Sequence, residues 1–332
     1  MVGGSQSNGS GNYRLAKHAA ATGGGSGLRR YTPEVWPEVW KEAGVPWQAD
    51  LRCTLLFLLS ALLPFCTAGI VEARECILEE NEGGRVADIV DGDTLLLDDG
   101  REVRLTGIQA PKLPLGRTNF KIWPLAPEAR ETLAEIAMGR HVTLQYGGES
   151  IDRHGRVLAH VFIEGAAAGP VWAQQEMLRH GLARVYTFRD NRACSAELLA
   201  AEESARAEGL GIWNKDYYDI RNAVDIGQLS RQVGRFEIVE GKIVSAALFR
   251  DRLYLNFGED YRQDFTVTVS GRNVKLFKAE EPWASFIEAA DGTNVSMLAG
   301  KYVRVRGWVD RYNGPEIEVT HPEQIEFPRE AE

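Results

Sequence analysis

An acidic β-hairpin constrains the fold of this chain more than any other segment. An apolar run at 94–97 and an alternating run at 101–105 flank an Asp-Asp-Gly turn, which predicts two antiparallel strands. Asp91 and Asp93 stand where the first strand begins, and Arg104 lies on the returning strand. Carboxylate oxygens suit a hard cation and a guanidinium suits phosphate oxygens, so this hairpin is a candidate phosphodiester site.

A second candidate segment follows at 152–156, which reads Asp-Arg-His-Gly-Arg. The glycine permits a tight turn, and the apolar run after it predicts a strand that begins beside Arg156. Phosphodiester cleavage passes through a highly anionic species. Two arginines and a cation are therefore suitable groups to stabilise it.

These two motifs, together with Gly-Leu-Gly-Ile-Trp at 209–213, resemble the staphylococcal nuclease (thermonuclease) family over residues 85–213. The resemblance implies an α+β fold, namely an OB-type five-stranded barrel with three helices. It also implies hydrolysis of DNA or RNA with Ca²⁺ and no small-molecule cofactor. Asp93 would be a calcium ligand, Asp91 would support the water shell of the metal, and Arg104 and Arg156 would clamp phosphate.

The chain departs from the family pattern after the arginine strand. Family members continue into Asp-Thr-Pro-Glu or Asp-Ala-Pro-Glu, whereas this chain has Gln109-Ala110-Pro111-Lys112. Gln109 can offer an amide oxygen to calcium but brings no charge, so the metal site should be weaker. A protonated Lys112 cannot accept a proton from water, and a general base contributes about 10²–10⁴ in rate. We therefore expect attenuated hydrolysis, and Lys112 could partly replace the metal as a charge that neutralises phosphate.

The candidate residues have structural alternatives. Arg104 and Arg156 could be ion-pair partners of Asp91, Asp93 or Asp152 rather than phosphate ligands. The loop at 113–127 also has two interpretations. Its Phe120, Lys121 and Trp123 could contact a nucleic acid, or the aromatic residues could hold the loop against its own domain. Arg153 and Lys121 are the further cations assigned here to nucleic-acid binding.

Helical and strand periodicity organises the rest of residues 74–213. The pattern predicts helices at 128–138, 171–180 and 196–208, and a strand at 142–146. A linker at 214–232 then leads to a second domain at 233–328. Strands there are predicted at 236–244, 252–257, 264–269, 302–309 and 316–319, with a helix at 282–290. This order indicates a second, smaller OB-like barrel.

Aromatic and basic residues alternate in the second domain. Tyr254 and Trp308 would suit base stacking on a nucleic-acid strand, because every base offers a ring face. The alternative is that such aromatic residues are core. The domain is also rich in Asp and Glu, so any basic side must be local.

The first 73 residues differ in composition from the rest of the chain. Residues 1–50 are Gly/Ser-rich without a sustained period, which predicts disorder or a translation start near Leu51. Residues 51–73 combine a basic residue, an apolar run and small residues, so we expect a secretory signal and export. The alternative is membrane attachment through 53–71. Cys76 and Cys194 would remain after cleavage and could pair in an oxidising compartment.

Charge limits the possible functions. A net charge of -9 argues against a protein that coats DNA non-specifically, but a nuclease needs only local positive charge. Three functions stay open: an exported, attenuated phosphodiesterase acting on DNA or RNA; a catalytically inactive nucleic-acid-binding protein; and a cell-envelope protein-interaction module. Retention of the two aspartates and two arginines favours the first. The sequence makes no prediction of oligomeric state.

Overall fold

The structure is a computed structural model, which describes residues 76–165, 169–287 and 293–328. The segments predicted as a disordered extension and as a signal or anchor lie outside the described residues. Within those three ranges, no helix combines the length and apolar character needed to cross a bilayer.

The first part of the chain forms a closed barrel with three helices. Its strands are β1 (Glu79–Asp91), β2 (Thr94–Leu97), β3 (Glu102–Leu105), β4 (Ile108–Gln109), β5 (His141–Tyr146), β6 (Val157–Ile163), β7 (Val171–Trp172) and β8 (Arg184–Val185). Its helices are α1 (Ala126–Ala137), α2 (Ala173–Arg179) and α3 (Ser195–Ala207). Because β3 pairs with both β2 and β6, five strands close in the order β1-β2-β3-β6-β5, as the OB-type prediction required.

The predicted elements of this part are present with small shifts. Helix α1 begins at Ala126, since Pro127 is compatible with a first helical turn. Helix α2 is shorter than the apolar period suggested, because Val171 and Trp172 pair with β6 as a strand. The strand pairing of these two residues thus overrides their fit to the helical pattern.

Gly92 sets how closely the acidic hairpin packs on the rest of the barrel. A Cβ atom at this position would lie 2.7 Å from the Cβ atoms of both Ala110 and Ala129. Only glycine allows this approach, which brings the end of β1, the segment after β4 and helix α1 together. The hairpin carboxylates are thereby held against the segment that carries Gln109 and Lys112.

The second part of the described chain is built on an eight-stranded sheet. Its strands are β9 (Arg221–Asn222), β10 (Phe236–Lys242), β11 (Ser245–Phe249), β12 (Arg252–Asn256), β13 (Thr266–Val269), β14 (Tyr302–Tyr312), β15 (Gly314–Val319) and β16 (Ile325–Glu326). They follow the order β11-β12-β13-β15-β14-β10-β9, with β16 on β14. Helices α4 (Ile226–Ser230), α5 (Gly271–Lys278) and α6 (Trp283–Ile287) complete it.

The segment expected as a linker carries structure of its own. It begins at the last residue of a 3₁₀ turn at Gly211–Asn214 and contains a 3₁₀ turn at Asp216–Tyr218, strand β9 and helix α4. Strand β9 pairs parallel with β10, with Arg221 opposite Val239. All five strands expected from the sequence are present in this part, together with others. The division into domains and the description of this part as an OB-like barrel stay predictions.

A buried ion pair joins the two parts. Arg306 on β14 is 1% exposed and Glu202 on α3 is fully buried. The guanidinium Nη2 lies 2.9 Å from Glu202 Oε1, and Nη1 lies 3.0 Å from Glu202 Oε2. Nη1 also donates to the Val185 carbonyl, and Nη2 donates to Glu326. A charge this deeply buried is tolerated because two carboxylates pair with it and both terminal nitrogens are hydrogen-bonded, although its Nε has no hydrogen-bond partner among the described residues.

Cys76 and Cys194 form a disulfide. It closes a separation of 118 residues and ties the start of β1 to the residue before α3. The pairing that the sequence left open is therefore formed in the structure.

Arg306→Met tests the ion pair between the two parts. Removing one partner leaves the Glu202 carboxylate buried without its main counter-charge, so we expect the free energy of unfolding to fall by about 3–5 kcal/mol. Denaturant unfolding followed by circular dichroism measures it. Arg272→Met, an exposed arginine on α5, serves as the matched control and should stay within about 0.5 kcal/mol of the original. A loss below about 1 kcal/mol in Arg306→Met would contradict this role.

Acid should destabilise the protein through two buried histidines of the described chain. Burial lowers the pKa of His160 to about 4, and burial with the nearby Arg192 charge lowers the pKa of His321 to about 3. The unfolded chain protonates near pH 6.5, so stability falls as pH drops from about 6.5 to 5, by up to about 1.4 kcal/mol per unit for each histidine.

His321→Gln should remove about half of this pH slope. His321 accepts or donates hydrogen bonds at both ring nitrogens, 2.8 Å from Thr187 Oγ1 and 2.8 Å from Thr320 Oγ1. Losing these contacts changes the free energy of unfolding at every pH. The experiment therefore compares how steeply that free energy changes with pH, and not its value at one pH. His154→Gln, on an exposed turn, should leave the slope unchanged. If the free energy of unfolding changes equally with pH in the original and His321→Gln proteins, His321 does not contribute to the acid destabilisation.

Candidate functional site

The hairpin carboxylates are buried at the junction of β1 and β2. Asp93 is 0% exposed and Asp91 is 3% exposed. Asp93 Oδ2 accepts a hydrogen bond of 2.7 Å from the Ala110 amide, and the Asp93 amide donates to Asp91 Oδ1 at 3.1 Å. The hydroxyl of Thr94 donates to Asp93 Oδ1. These contacts hold both carboxylates in fixed orientations beside the segment that follows β4.

Lys112 lies between the two carboxylates. Its Nζ is 2.6 Å from Asp93 Oδ1, 2.6 Å from Asp93 Oδ2 and 3.2 Å from Asp91 Oδ2. The ammonium group therefore stands where a cation shared by these two carboxylates would bind. Lys112 therefore neutralises the two aspartates.

The Arg104 guanidinium is hydrogen-bonded to backbone carbonyl groups of the protein. Nη1 donates to the carbonyls of Asp93 and Leu105 at 3.2 and 2.6 Å, and Nη2 donates to the Ile108 carbonyl at 2.6 Å. Nη2 also lies 3.2 Å from Asp93 Oδ2. The alternative that Arg104 is a structural ion-pair partner of Asp93 matches this geometry. A phosphate would have to compete with these contacts.

The pKa values of the two aspartates are shifted in opposite directions. Burial alone would raise the pKa of Asp93, but the charges of Arg104 and Lys112 outweigh it and hold that pKa well below the ordinary range. Burial, followed by the charge of Asp93, raises the pKa of Asp91. Asp93 is thus the permanent anion of the cluster, and Asp91 is the one that takes up a proton first in acid.

Gln109 has its own partner on the next strand. Strand β4 pairs with β8, which places Gln109 opposite Arg184. Gln109 Oε1 accepts two hydrogen bonds from that guanidinium, 3.1 Å from Nε and 2.8 Å from Nη2. Burial lowers the pKa of Arg184 to about 10, so the group is still cationic at neutral pH.

These residues do not fit a calcium ion. Calcium takes six to eight oxygen ligands. Here an ammonium group is hydrogen-bonded to both carboxylates, and the Gln109 oxygen is engaged by Arg184. In the described ranges, the one group of three potential Cys, His, Asp or Glu ligands is Cys76, Cys194 and Glu197, whose two sulfurs form the disulfide. The set expected to bind calcium (Asp93, Asp91 and Gln109) is therefore brought together, but around Lys112 and Arg184.

Arg156 and Arg153 lie on the turn before β6. Arg156 pairs with Asp152, at 2.8 Å from Nε and 2.7 Å from Nη2 to Oδ2, and more loosely with Glu102. Strand β3 runs parallel to β6 with Arg104 opposite Leu158, so Arg104 lies beside the strand that begins directly after Arg156. Arg153 is exposed and donates to the His154 ring.

The other predicted nucleic-acid contacts are dispersed. Trp308 is 50% exposed, so it is not a core residue, and its Nε1 donates to the Tyr186 hydroxyl at 3.0 Å. Lys121 is exposed in the loop after β4. Tyr254 is half-buried on β12, 5.9 Å from the guanidinium of Arg252, and does not line the cavity described next.

A cavity of about 460 Å³ adjoins Lys112 and Gln109. Its cationic lining residues are Lys112, Arg117, Arg184 and Arg235, and its aromatic ones are Phe120, Trp123, Tyr217, Phe236 and Trp308. No carboxylate belongs to this lining. Both parts of the fold contribute walls, because Arg235, Phe236 and Trp308 come from the second part.

Sequence reasoning did not identify Arg184 as a site residue. A signal was present, because Arg184 interrupts the apolar run Leu182-Ala183-Arg184-Val185, and a charge inside a buried strand needs a specific partner. Arg235 and Tyr217 lie 18 residues apart, and no local pattern joins them. In the 113–127 loop, the Trp123 ring lies 5.8 Å from the Tyr217 ring and also lines the cavity, and contact of this loop with a nucleic acid stays a prediction.

Comparison with known proteins places the chain in a family. A sequence model of the staphylococcal nuclease homologue family matches residues 102–215. The chain is 27% identical to the Thermonuclease of Staphylococcus hyicus over 154 residues, covering 46% of this chain and 83% of that protein. It is 33% identical to Protein ParB of Escherichia coli over 138 residues, covering 40% and 72%. Endonuclease YncB of Bacillus subtilis is 28% identical over 134 residues, covering 39% and 60%. The closed barrel, the hairpin and these matches together show that the chain belongs to the staphylococcal nuclease homologue family.

Proposed function

We propose that this protein binds nucleic-acid strands and cleaves them at most slowly, without using calcium. Membership of the nuclease family supports a nuclease-type function in general, and relatives named thermonuclease and endonuclease make DNA or RNA the substrate class to test. The observation that carries the finer proposal is the position of the Lys112 ammonium, within 2.6 Å of both Asp93 oxygens.

The charge balance of the cluster supports calcium independence. Two carboxylates (Asp91 and Asp93) face two cations (Lys112 and Arg104) within 3.2 Å. A divalent ion entering this cluster would meet a cation already hydrogen-bonded to its ligands. Displacing Lys112 would break three contacts and leave the ammonium partly buried, which is costly.

Slow hydrolysis is supported by what the cluster retains. Arg104 and Lys112 are cations held in fixed positions at the hairpin, and preorganised charge near a developing anion stabilises a transition state. No carboxylate of the cluster is free to accept a proton from water, because Lys112 contacts both. A purely non-catalytic nucleic-acid-binding protein is the limiting case of the same proposal.

Export, or attachment to a membrane, and a role in protein contacts at the cell envelope stay proposals that rest on the sequence alone. They do not alter the test of the site. That test uses the full chain, denatured DNA and RNA, and calcium or excess chelator.

Restoring the two acidic positions should create calcium-dependent cleavage. In the double variant Gln109→Asp with Lys112→Glu, the ammonium is removed and two carboxylates face Asp91 and Asp93. We expect cleavage of denatured DNA with calcium to rise by about 10² or more over the original protein, since a general base contributes at least this much. The original protein should show the same low rate with calcium and with chelator.

The matched control is Lys215→Glu, which reverses the same kind of charge on an exposed residue outside the site. It should behave as the original protein does. Fast cleavage by the original protein that excess chelator abolishes would overturn the calcium-independence proposal. Absence of both cleavage and salt-sensitive strand binding would overturn the nucleic-acid function and favour the protein-contact alternative.

A further inference from the structure

The cationic cavity beside Lys112 contains positive charge that the protein does not neutralise at contact. Arg117 donates to the backbone carbonyls of Leu113 and Pro114, at 2.6 and 3.0 Å. Arg184 donates to the Gln109 amide oxygen. Among the described residues, no ion pair within 4.0 Å joins a carboxylate to either guanidinium, although Glu237 and Glu202 act on Arg184 from farther away.

The other two cations of the lining differ from this pair. Lys112 is neutralised by the hairpin aspartates, and Arg235 pairs with Glu237 at 3.4 Å. The positive charge available to a ligand is therefore concentrated on Arg117 and Arg184. Guanidinium groups with spare donors are well suited to phosphate oxygens, because their planar fork binds two oxygens at once.

Aromatic rings supply the rest of the cavity wall. The rings of Phe120 and Trp123 are stacked with centroids 6.5 Å apart, and the Arg117 guanidinium lies 3.7 Å from the Phe120 centroid. Phe236 lies 6.3 Å from Trp308 and 4.7 Å from the Arg184 guanidinium. Aromatic rings from both parts of the fold therefore line the cavity, and a planar ring entering it would contact them.

The size of the cavity limits the ligand. A volume of about 460 Å³ lies in the range of about 300–1,000 Å³ that is usual for small-molecule sites. A single ring-bearing anion fits this volume, whereas a folded partner or a duplex does not. Phosphate-binding guanidinium groups together with ring-stacking walls are the combination that recognises a nucleotide.

We propose that this cavity binds one nucleotide unit at the end of a nucleic-acid strand, with its phosphate on Arg117 and Arg184 and its base against Trp123 and Trp308. The inference rests on the proposed nucleic-acid function and adds a site to it. This site lies on the Gln109 and Lys112 side of the hairpin and requires the second part of the chain. It is therefore separate from the Arg156 turn, where the second predicted clamping arginine lies.

The test is calorimetric binding of adenosine 5′-monophosphate to the full chain without calcium, with adenosine and inorganic phosphate as separate probes. We expect the monophosphate to bind more tightly than either fragment. Arg117→Ala should weaken its binding about tenfold, the loss of a charge-assisted hydrogen bond. Trp308→Leu should weaken it by a similar factor through lost stacking.

Matched controls remove the same kinds of side chain elsewhere. Arg272→Ala removes an exposed arginine on α5, and Tyr312→Ala removes an aromatic residue that is 76% exposed at the end of β14. Both should bind the monophosphate as the original protein does. Circular dichroism of each variant checks that it is folded, and a misfolded Trp308→Leu leaves Arg117→Ala, on an exposed loop, as the deciding variant.

Measuring strand binding and monophosphate binding separately tests the nucleic-acid function and the cavity proposal independently. If strands bind and the monophosphate does not, the cavity proposal fails and nucleic-acid binding stands. If the monophosphate binds and strands do not, nucleic-acid binding fails and the cavity is a site for free nucleotides. Loss of monophosphate binding in Arg156→Ala, with no change in the two cavity variants, would place the nucleotide at the 152–156 turn and overturn the inference.

Discussion

The buried pair of Arg306 and Glu202 is the interaction on which the rest of the structure depends. Glu202 accepts a hydrogen bond from the Val185 amide at 2.5 Å, and Arg306 donates to the Val185 carbonyl at 3.1 Å. Both charged groups therefore hold strand β8 as well as each other. Strand β8 carries Arg184, which in turn holds Gln109. This ionic contact, one of several between the two parts, thus holds the strand whose Arg184 orients Gln109 next to the hairpin carboxylates.

Gln109 and Lys112, which stand where the family pattern has two acidic residues, both change the charge balance of the site. A glutamine at 109 removes a carboxylate that Arg184 would otherwise meet, and a lysine at 112 supplies the cation that Asp91 and Asp93 need when buried. Buried carboxylates without a counter-charge would take up protons or destabilise the fold. Lys112 supplies the counter-charge for these carboxylates from within the chain. The buried carboxylates of this nuclease-family fold are thereby stabilised by a contact within the chain.

Much of the barrel followed from local patterns. The Asp-Asp-Gly turn and the alternating strands beside it specified the hairpin, and helical periodicity located α1 and α3 to within two residues. Helix α5 was not predicted, although Val274 and Phe277 stand at helical spacing and both are buried. In the site, the structure brings Asp91, Asp93 and Gln109 near Lys112, and the roles that the sequence assigned to them stay predictions. The sequence did not identify Arg184, whose role depends on a strand pairing across 75 residues.

The sequence by itself determined the nuclease-type barrel, the acidic hairpin and the loss of the acidic residues at 109 and 112, since these depend on residue types at short spacing. Only the tertiary structure decided that Lys112 contacts both aspartates, that Arg104 is held by backbone carbonyls, and that a cationic aromatic cavity forms between the two parts. The physical reason is that the positions of these side chains depend on how the strands and loops of the barrel fold back on one another. For the cavity, they also depend on how the second sheet packs against the barrel, and local periodicity encodes neither arrangement.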